Sequence, residues 1–353
     1  MNHVRRILVV KLGAIGDIIL TAVALTQYRA RFPDVAVDWI TDAGLKSLVE
    51  ATGIADRVVD VDEASMVQGV LPARVYAFAR SMVHVKRVCA SRYDGIFTVY
   101  LDKRTKVLTW GIPAKVRRSL GDSNLGDRKR RPTYLLHRSW VHEYWRMLTG
   151  ADSEAIDIAA ATAALGAKML QYVKGLADAS LGTGYVVVAA GGAKNLYRDD
   201  ALRRWPIQHF RELVETLLSQ GRRVVLVGAN SDQWVSDAMR GLPVEDIIGK
   251  TSLMQLLAVM QNASAVVAND SGVFHLATLT TRGLVGLFGP TPPNGIAPLG
   301  RANTRILAPD NRISCSPCYD GRNYAACIRN ICLESTPVSA VAEAIAAVSH
   351  KYV

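Results

Sequence analysis

Three polar side chains near residue 270 are the best candidates for chemistry in this sequence. Asp270 and Ser271 follow the apolar run 265–268, which predicts a buried parallel strand. A helix is predicted to follow, and His275 stands four residues after Ser271, so both lie on one face of it. Backbone N–H groups at the start of a helix attract anions such as phosphate. The pattern therefore predicts a phosphate site at the carboxyl end of the strand, although Asp-Ser-Gly is also a common helix cap.

A second polar turn follows the first strand of the chain. Residues 5–10 predict that strand, and the sequence Lys-Leu-Gly-Ala-Ile-Gly-Asp at 11–17 leads from it into an apolar helix over 18–28. Glycines at 13 and 16 allow a ligand to approach the backbone. A dinucleotide fingerprint needs a third glycine, so a dehydrogenase is disfavoured. Asp17 is either a reactive carboxylate or a partner of the helix dipole.

Positive charge is concentrated in one segment. The chain carries a net charge of +11, and the segment 103–146 contains 12 Lys or Arg against 3 Asp or Glu. The run at 128–131 is entirely basic. Such a segment favours nucleic acid, acidic lipid headgroups or a phosphorylated substrate, and a merely solvated loop is the plain alternative.

Four cysteines lie close together near the carboxyl terminus. Two thiolate pairs on a short loop suit a tetrahedral, structural zinc or iron site, because four sulfur ligands leave no open coordination position. The alternative is a set of reduced thiols, some of them packed under the loop. The set is Cys315, Cys318, Cys327 and Cys332.

The chain as a whole reads as two α/β domains. Strands alternate with helices throughout, which predicts doubly wound parallel sheets with a ligand held near their carboxyl ends, in a cleft between the domains. We expect domains at 1–165 and 166–336, with the terminal helix 337–353 packing back on the first. The sequence has no transmembrane-length apolar run and no signal-peptidase pattern, so we expect a cytoplasmic protein.

The motifs occur in an order that resembles glycosyltransferase family 9, the ADP-heptose heptosyltransferases of lipopolysaccharide core synthesis. The resemblance rests on the Gly-Asp turn at 16–17, Arg-Arg-Trp-Pro at 203–206, Asp-Ser-Gly-Val-Phe-His-Leu-Ala at 270–277 and Gly-Pro-Thr at 289–291. It implies the GT-B fold, two facing Rossmann-like domains. It also implies inverting transfer from a nucleotide-diphosphate sugar, with no metal or other cofactor required for catalysis. Similar Cys-rich segments occur in relatives of this family, and in some of these relatives the resemblance implies an iron-binding finger.

The resemblance also assigns roles to residues. Asp17 is implied as the general base that takes a proton from the acceptor hydroxyl. The acceptor side is expected to use Lys11, Gly16, Arg128, Lys129, Arg130 and Arg131. The donor side is expected to use Gly191, Gly192, Lys194, Arg203, Thr251, Asp270, Ser271, Gly272 and His275.

Several alternatives stay open at this point. The expected acceptor is an anionic glycolipid met at the inner face of the inner membrane, but a protein or a small metabolite is also compatible with the sequence. A nucleotide-sugar epimerase would share the two-domain architecture. A nucleic-acid binder could use the segment 103–146, with nearby aromatic residues stacking on bases. No recognised nucleic-acid module is present, so we expect no nucleic-acid partner.

Overall fold

The computed structural model describes residues 4–101, 103–122, 139–150, 155–297, 300–309, 313–319 and 323–349. The chain separates into two compact units, Met1–Leu165 and Gly166–Val353. Each unit is built around one parallel sheet, as the alternation of strands and helices predicts. No helix in these ranges is both long enough and apolar enough to cross a bilayer.

The first unit has the strand order β3-β2-β1-β4-β5, and every neighbouring pair is parallel. Its strands are β1 (Arg6–Val10), β2 (Ala36–Asp42), β3 (Arg57–Val61), β4 (Tyr93–Thr98) and β5 (Ala114–Ser119). Its helices are α1 (Ile15–Arg31), α2 (Lys46–Thr52), α3 (Glu63–Val67), α4 (Leu71–Val88) and α5 (Trp140–Thr149). The helix α6 (Ile158–Tyr172) contains the division between the units.

Local sequence explains these elements. Residues 7–10 of β1 are fully buried, as expected for a central parallel strand that is covered on both faces. The helix α3 ends at Val67, and α4 has Pro72 in its first turn, where the missing N–H of proline is tolerated. Ser139 caps the start of α5, and Gly150 ends it with φ of 75°.

The second unit has the strand order β11-β10-β9-β6-β7-β8, again with parallel pairs. Its strands are β6 (Val186–Ala189), β7 (Val224–Leu226), β8 (Glu245–Asp246), β9 (Ala265–Asn269), β10 (Gly283–Leu287) and β11 (Thr304–Leu307). Its helices are α7 (Ile207–Ser219), α8 (Gln233–Ala238), α9 (Leu253–Asn262), α10 (Gly272–Ala277), α11 (Pro293–Ile296), α12 (Ile331–Glu334) and α13 (Val338–Val348).

Both strand orders reverse direction at one point. In the first unit the reversal lies between β1 and β4, and in the second between β6 and β9. In each unit, the chain leaves the two strands at the reversal toward opposite sides of the sheet. This opens a crevice at their carboxyl ends, where ligands bind in such folds. The two turns singled out by sequence, after β1 and after β9, are both at these points.

The terminal helix α13 differs from our expectation. It packs against α7 and against β9, β10 and β11, which belong to the second unit. Its side chains Val341 and Ile345 are fully buried in that core. The apolar face that suggested packing on the first domain instead covers the second sheet.

Candidate active site

In the first unit, a buried lysine holds Asp17 at the carboxyl edge of the sheet. Lys11 is 4% exposed, and its Nζ lies 2.7 Å from Asp17 Oδ2 and 3.2 Å from the carbonyl oxygen of Val99. The Asp17 side chain remains 43% exposed, in the first turn of α1. A carboxylate that is anchored on one side and open to solvent on the other can accept a proton from a bound hydroxyl. Gly16 is buried beside it in the same turn.

Tyr100 supports this turn and was not identified from the sequence. Its hydroxyl accepts hydrogen bonds from the N–H groups of Leu12 (2.9 Å) and Gly13 (3.1 Å), and its ring lies 4.2 Å from Lys11 Nζ. Burial raises the pKa of Tyr100 well above its usual value, and the charges of Glu63 and Asp17 raise it further. Its position just after β4, at the strand-order reversal, was the available signal.

In the second unit, Asp270 is the centre of a buried polar cluster. Asp270 is 1% exposed, and its Oδ2 accepts from Thr291 Oγ1 at 2.6 Å and pairs with Arg203 Nη2 at 2.8 Å. Arg203 Nη1 lies 3.6 Å from Asp200 Oδ2. Burial opposes the charge on Arg203, but Asp270 and Asp200 outweigh it, so the pKa of Arg203 is raised. The role of Arg203 toward phosphate stays a prediction, and its contacts in this structure are with carboxylates.

Asn269, the last residue of β9, ties the separate motifs together. Its Oδ1 accepts from the N–H of Trp205 at 2.9 Å, and its Nδ2 donates to the carbonyl oxygens of Ala190 and Gly191 at 2.9 and 3.3 Å. The side chain is fully buried, and all of its polar contacts are to backbone groups. One amide thereby connects the Arg-Arg-Trp-Pro segment (203–206) and the turn at Gly191 and Gly192, here called the glycine turn, to the strand that precedes Asp270. This role of Asn269 was not predicted from the sequence.

The glycine turn leaves no room for side chains. A Cβ on Gly191 would lie 2.4 Å from the carboxyl carbon of Asp232, and one on Gly192 would lie 2.9 Å from Ser271 Cβ. Gly192 also has a φ of 80°, which favours glycine. Its N–H donates to Asp232 Oδ1 at 3.0 Å, so a carboxylate missed by the sequence analysis organises this turn. The N–H of Gly192, which is expected on the donor side, therefore already has a partner.

Buried polar atoms without a hydrogen bond are concentrated at this cluster. Within the part of the chain that the structure describes, nine such side-chain atoms occur. Five belong to the cluster around Asp270: Asp200 Oδ2, Arg203 Nε, Asp270 Oδ1, Ser271 Oγ and Tyr324 OH. Buried polar groups are normally hydrogen-bonded, so we expect a polar ligand or water to pair with these atoms.

Comparison with protein families decides what kind of protein this is. The family model for glycosyltransferase family 9 (heptosyltransferase) matches residues 83–328, more than two thirds of the chain. The chain belongs to glycosyltransferase family 9. It is therefore a glycosyltransferase, which confirms the predicted enzyme class and the resemblance. Neither the epimerase nor the nucleic-acid binder is favoured by this result.

Individual relatives of this glycosyltransferase agree with the family assignment. It is 24% identical to lipopolysaccharide heptosyltransferase 1 of Salmonella typhimurium over 324 residues, 88% of this chain and 96% of that protein. Escherichia coli heptosyltransferase WaaC, solved with ADP-2-deoxy-2-fluoro heptose, has a TM-score of 0.68 at 20% identity and covers 97% of this chain and 99% of its own. The iron-containing dodecameric glycosyltransferase TibC of E. coli has a TM-score of 0.59 at 13% identity, over 99% of this chain and 77% of its own. These likenesses confirm the GT-B fold class.

The remaining predicted donor residues of the glycosyltransferase lie in varied settings. His275 is 6% exposed in α10, four residues after Ser271 as predicted, and its ring packs edge-on against Phe274. Thr251 is half-buried just before α9, while Lys194 is exposed in the loop after β6. Gly272 is the first residue of α10. Their contacts with a donor stay predictions, and Arg128, Lys129, Arg130 and Arg131 lie outside the described residues.

The structure places only some of the four clustered cysteines near one another. Burial raises the pKa of Cys332 to about 11, and Cys318 and Cys327 are near enough to raise it as well. Cys315 is exposed. Across the described ranges, no group of three or more His, Cys, Asp or Glu side chains is arranged to hold a metal ion. The ligand set predicted from the spacing is therefore not formed in this structure, and we derive no step from a metal.

Proposed function

We propose that this glycosyltransferase transfers a heptose from ADP-heptose to a hydroxyl of an anionic glycolipid, such as the lipopolysaccharide core, with inversion at the sugar C1. The observation that carries the donor half is the group of five unpaired buried polar atoms around Asp270. The sugar of a nucleotide-diphosphate sugar offers hydroxyl groups, which both donate and accept hydrogen bonds and can pair with such atoms. The named activity of the Salmonella relative and the sugar nucleotide bound to WaaC support the choice of heptose and ADP.

The roles in this mechanism follow from the two sites. Asp17 would remove the proton from the acceptor hydroxyl as that oxygen attacks C1. Lys11 would act by positioning Asp17, since its Nζ is already used by Asp17 and by the carbonyl oxygen of Val99. Lys194 and His275 would stabilise the diphosphate as it leaves, which requires positive charge or oriented N–H groups and not a divalent ion.

The experiment that tests this function is a transfer assay with a panel of donors. The purified chain is incubated with a Kdo-bearing lipid A acceptor and, separately, with ADP-heptose, ADP-glucose, GDP-mannose and UDP-N-acetylglucosamine. Mass spectrometry of the lipid should show one added heptose from ADP-heptose. The anomer of the product reports inversion. Transfer of a different sugar, or release of an epimerised sugar without transfer, would overturn the proposal.

The acceptor half of the proposal depends on the basic segment. We expect the segment 103–146 to attract the anionic glycolipid at the cytoplasmic face of the inner membrane, because its charge balance is strongly positive. Replacing Arg128, Lys129, Arg130 and Arg131 with glutamine should raise the acceptor KM and its salt dependence and leave the donor Kd unchanged. Steady-state kinetics at two salt concentrations measure this. Loss of donor binding would place the segment at the other substrate.

A structural metal on the Cys-rich segment is a separate proposal. The chain is similar in fold to an iron-containing glycosyltransferase, and its four clustered cysteines have the spacing of two thiolate pairs. If Cys315, Cys318, Cys327 and Cys332 close around a metal in solution, the protein should contain about one equivalent of zinc or iron per chain. Elemental analysis of protein purified without a metal-affinity column measures it. A metal content far below one equivalent would support free thiols.

A further inference from the structure

Residues 316–319 belong to the Cys-rich segment (315–332) and contact the turn that precedes Thr291. Ser316 Oγ donates to the carbonyl oxygen of Gly289 at 2.6 Å, and the N–H groups of Cys318 and Tyr319 both donate to the carbonyl oxygen of Pro290 at 2.9 Å. The next residue of that turn, Thr291, is the hydrogen-bond donor to Asp270. The segment is therefore connected to the buried cluster by one residue of chain.

Two stacked tyrosines of this segment differ in the hydrogen bonds of their hydroxyl groups. Tyr319 and Tyr324 are stacked, with ring centroids 4.8 Å apart, and the guanidinium carbon of Arg198 lies 5.2 and 5.6 Å from the two rings. Arg198 Nη2 donates to the Tyr319 hydroxyl at 2.5 Å and Arg198 Nε pairs with Asp200 at 3.0 Å. The Tyr324 hydroxyl is buried and makes no hydrogen bond within the described ranges. The Tyr319 hydroxyl thus has Arg198 as a partner, whereas the Tyr324 hydroxyl has none among the described residues.

Tyr324 lies within the electrostatic reach of the buried cluster. Burial raises the pKa of Tyr324, Arg203 opposes this rise, and Asp200 adds to it. The hydroxyl is therefore neutral at physiological pH, and it can both donate and accept a hydrogen bond. Asp200 and Asp270 each have one buried carboxylate oxygen without a hydrogen bond, and ion pairs with Arg198 and Arg203 connect these carboxylates to the tyrosine stack.

The chemistry of the unpaired atoms selects a sugar over a phosphate. Carboxylate oxygens only accept hydrogen bonds, and phosphate oxygens at neutral pH also mainly accept, so the two would repel each other. Two arginines (198 and 203) and two aspartates (200 and 270) sum to zero charge, which leaves no excess to hold a diphosphate. Sugar hydroxyls donate to carboxylates and accept from Arg203 Nε, and so match the mixed set.

We propose that Tyr324 binds the sugar of the donor: its hydroxyl, together with Asp200 Oδ2 and Asp270 Oδ1, forms hydrogen bonds with hydroxyl groups of the transferred sugar. The inference rests on the proposed function, because it assumes that the cluster is the donor site. It makes the Cys-rich segment a determinant of which sugar is accepted. The nucleotide part of the donor would bind elsewhere in the second unit.

The test compares nucleotide sugar with bare nucleotide. Tyr324→Phe keeps the ring stack and removes one hydroxyl, so the folded protein should melt as the wild type does. Calorimetry should show about tenfold weaker binding of ADP-heptose, as for one lost hydrogen bond in a buried site, with unchanged binding of ADP. The matched control is Tyr172→Phe, because Tyr172 is exposed at the end of α6 and should change neither affinity.

The outcomes separate this inference from the donor proposal. Unchanged ADP-heptose affinity in Tyr324→Phe, or an equal loss for ADP and ADP-heptose, would overturn the role of Tyr324. If the wild type instead binds another nucleotide sugar from the panel, the choice of heptose fails, and Tyr324 is judged by the same comparison on that sugar. If the wild type binds no nucleotide sugar, both proposals are wrong.

Discussion

Replacing Asp17 with asparagine is expected to lower kcat for sugar transfer by about 100-fold or more, the usual scale for a lost general base. Asparagine has nearly the same shape but cannot take the proton from the acceptor hydroxyl. The donor Kd should not change, since Asp17 belongs to the first unit and its carboxylate pairs with Lys11 of the same unit. Steady-state kinetics with saturating donor and acceptor measure the effect, and calorimetry with ADP-heptose measures the donor Kd.

Two controls make the Asp17 result interpretable. Asp34→Asn changes an exposed carboxylate of the same unit and should leave kcat unchanged. Asp17→Asn also leaves the buried Lys11 without its carboxylate partner, so thermal unfolding must show that the variant remains folded. A folded Asp17→Asn variant with near-normal turnover would remove Asp17 from the mechanism.

Arg203→Met is expected to have the largest effect on stability. It leaves Asp270 ionised, 1% exposed and without its guanidinium partner, and breaking a buried ion pair in this way typically costs about 3–5 kcal/mol. Donor binding should be lost as well, because Asp270 would no longer be held at the carboxyl end of β9. Urea unfolding and calorimetry with the nucleotide sugar measure the two effects.

A double variant separates the ion pair from simple loss of packing. Arg203→Met combined with Asp270→Asn removes the unpaired buried charge, so the double variant should be more stable than Arg203→Met alone. The surface control is Arg240→Met, because Arg240 and Asp237 form a pair that is 81% and 65% exposed and should contribute at most about 1 kcal/mol. Equal stability of Arg203→Met and the wild type would show that Asp270 does not depend on this pair.

The basis of the donor proposal is a set of groups that the fold leaves unsatisfied. Arg203 forms ion pairs with both Asp270 and Asp200, yet each of the three residues keeps one buried polar atom without a hydrogen bond in the described part of the chain. A cluster built only for stability would satisfy such atoms, since each unsatisfied buried group costs about 1–3 kcal/mol. A ligand that forms hydrogen bonds with these atoms would recover this cost on binding.

The sequence by itself determined the local structure of both sites. Apolar runs predicted β1 and β9 because a parallel strand covered on both faces must be apolar along its whole length. The polar residues after each strand were predicted to lie at the carboxyl edge, which the strand orders confirm. The order of the motifs also identified the family, because several motifs in a fixed order along the chain are more specific than any single turn.

Only the tertiary structure decided which residues meet. Asn269 binds Trp205 across 64 positions of sequence, and Tyr319 meets Arg198 across 121. Neither contact has a periodicity or a spacing rule, because strand order and loop docking determine it. The same holds for Tyr324, whose importance depends on being buried without a partner, and for α13, whose apolar face fits more than one surface. Periodicity shows that a face is buried, but the partner of that face is determined by the packing of the whole chain.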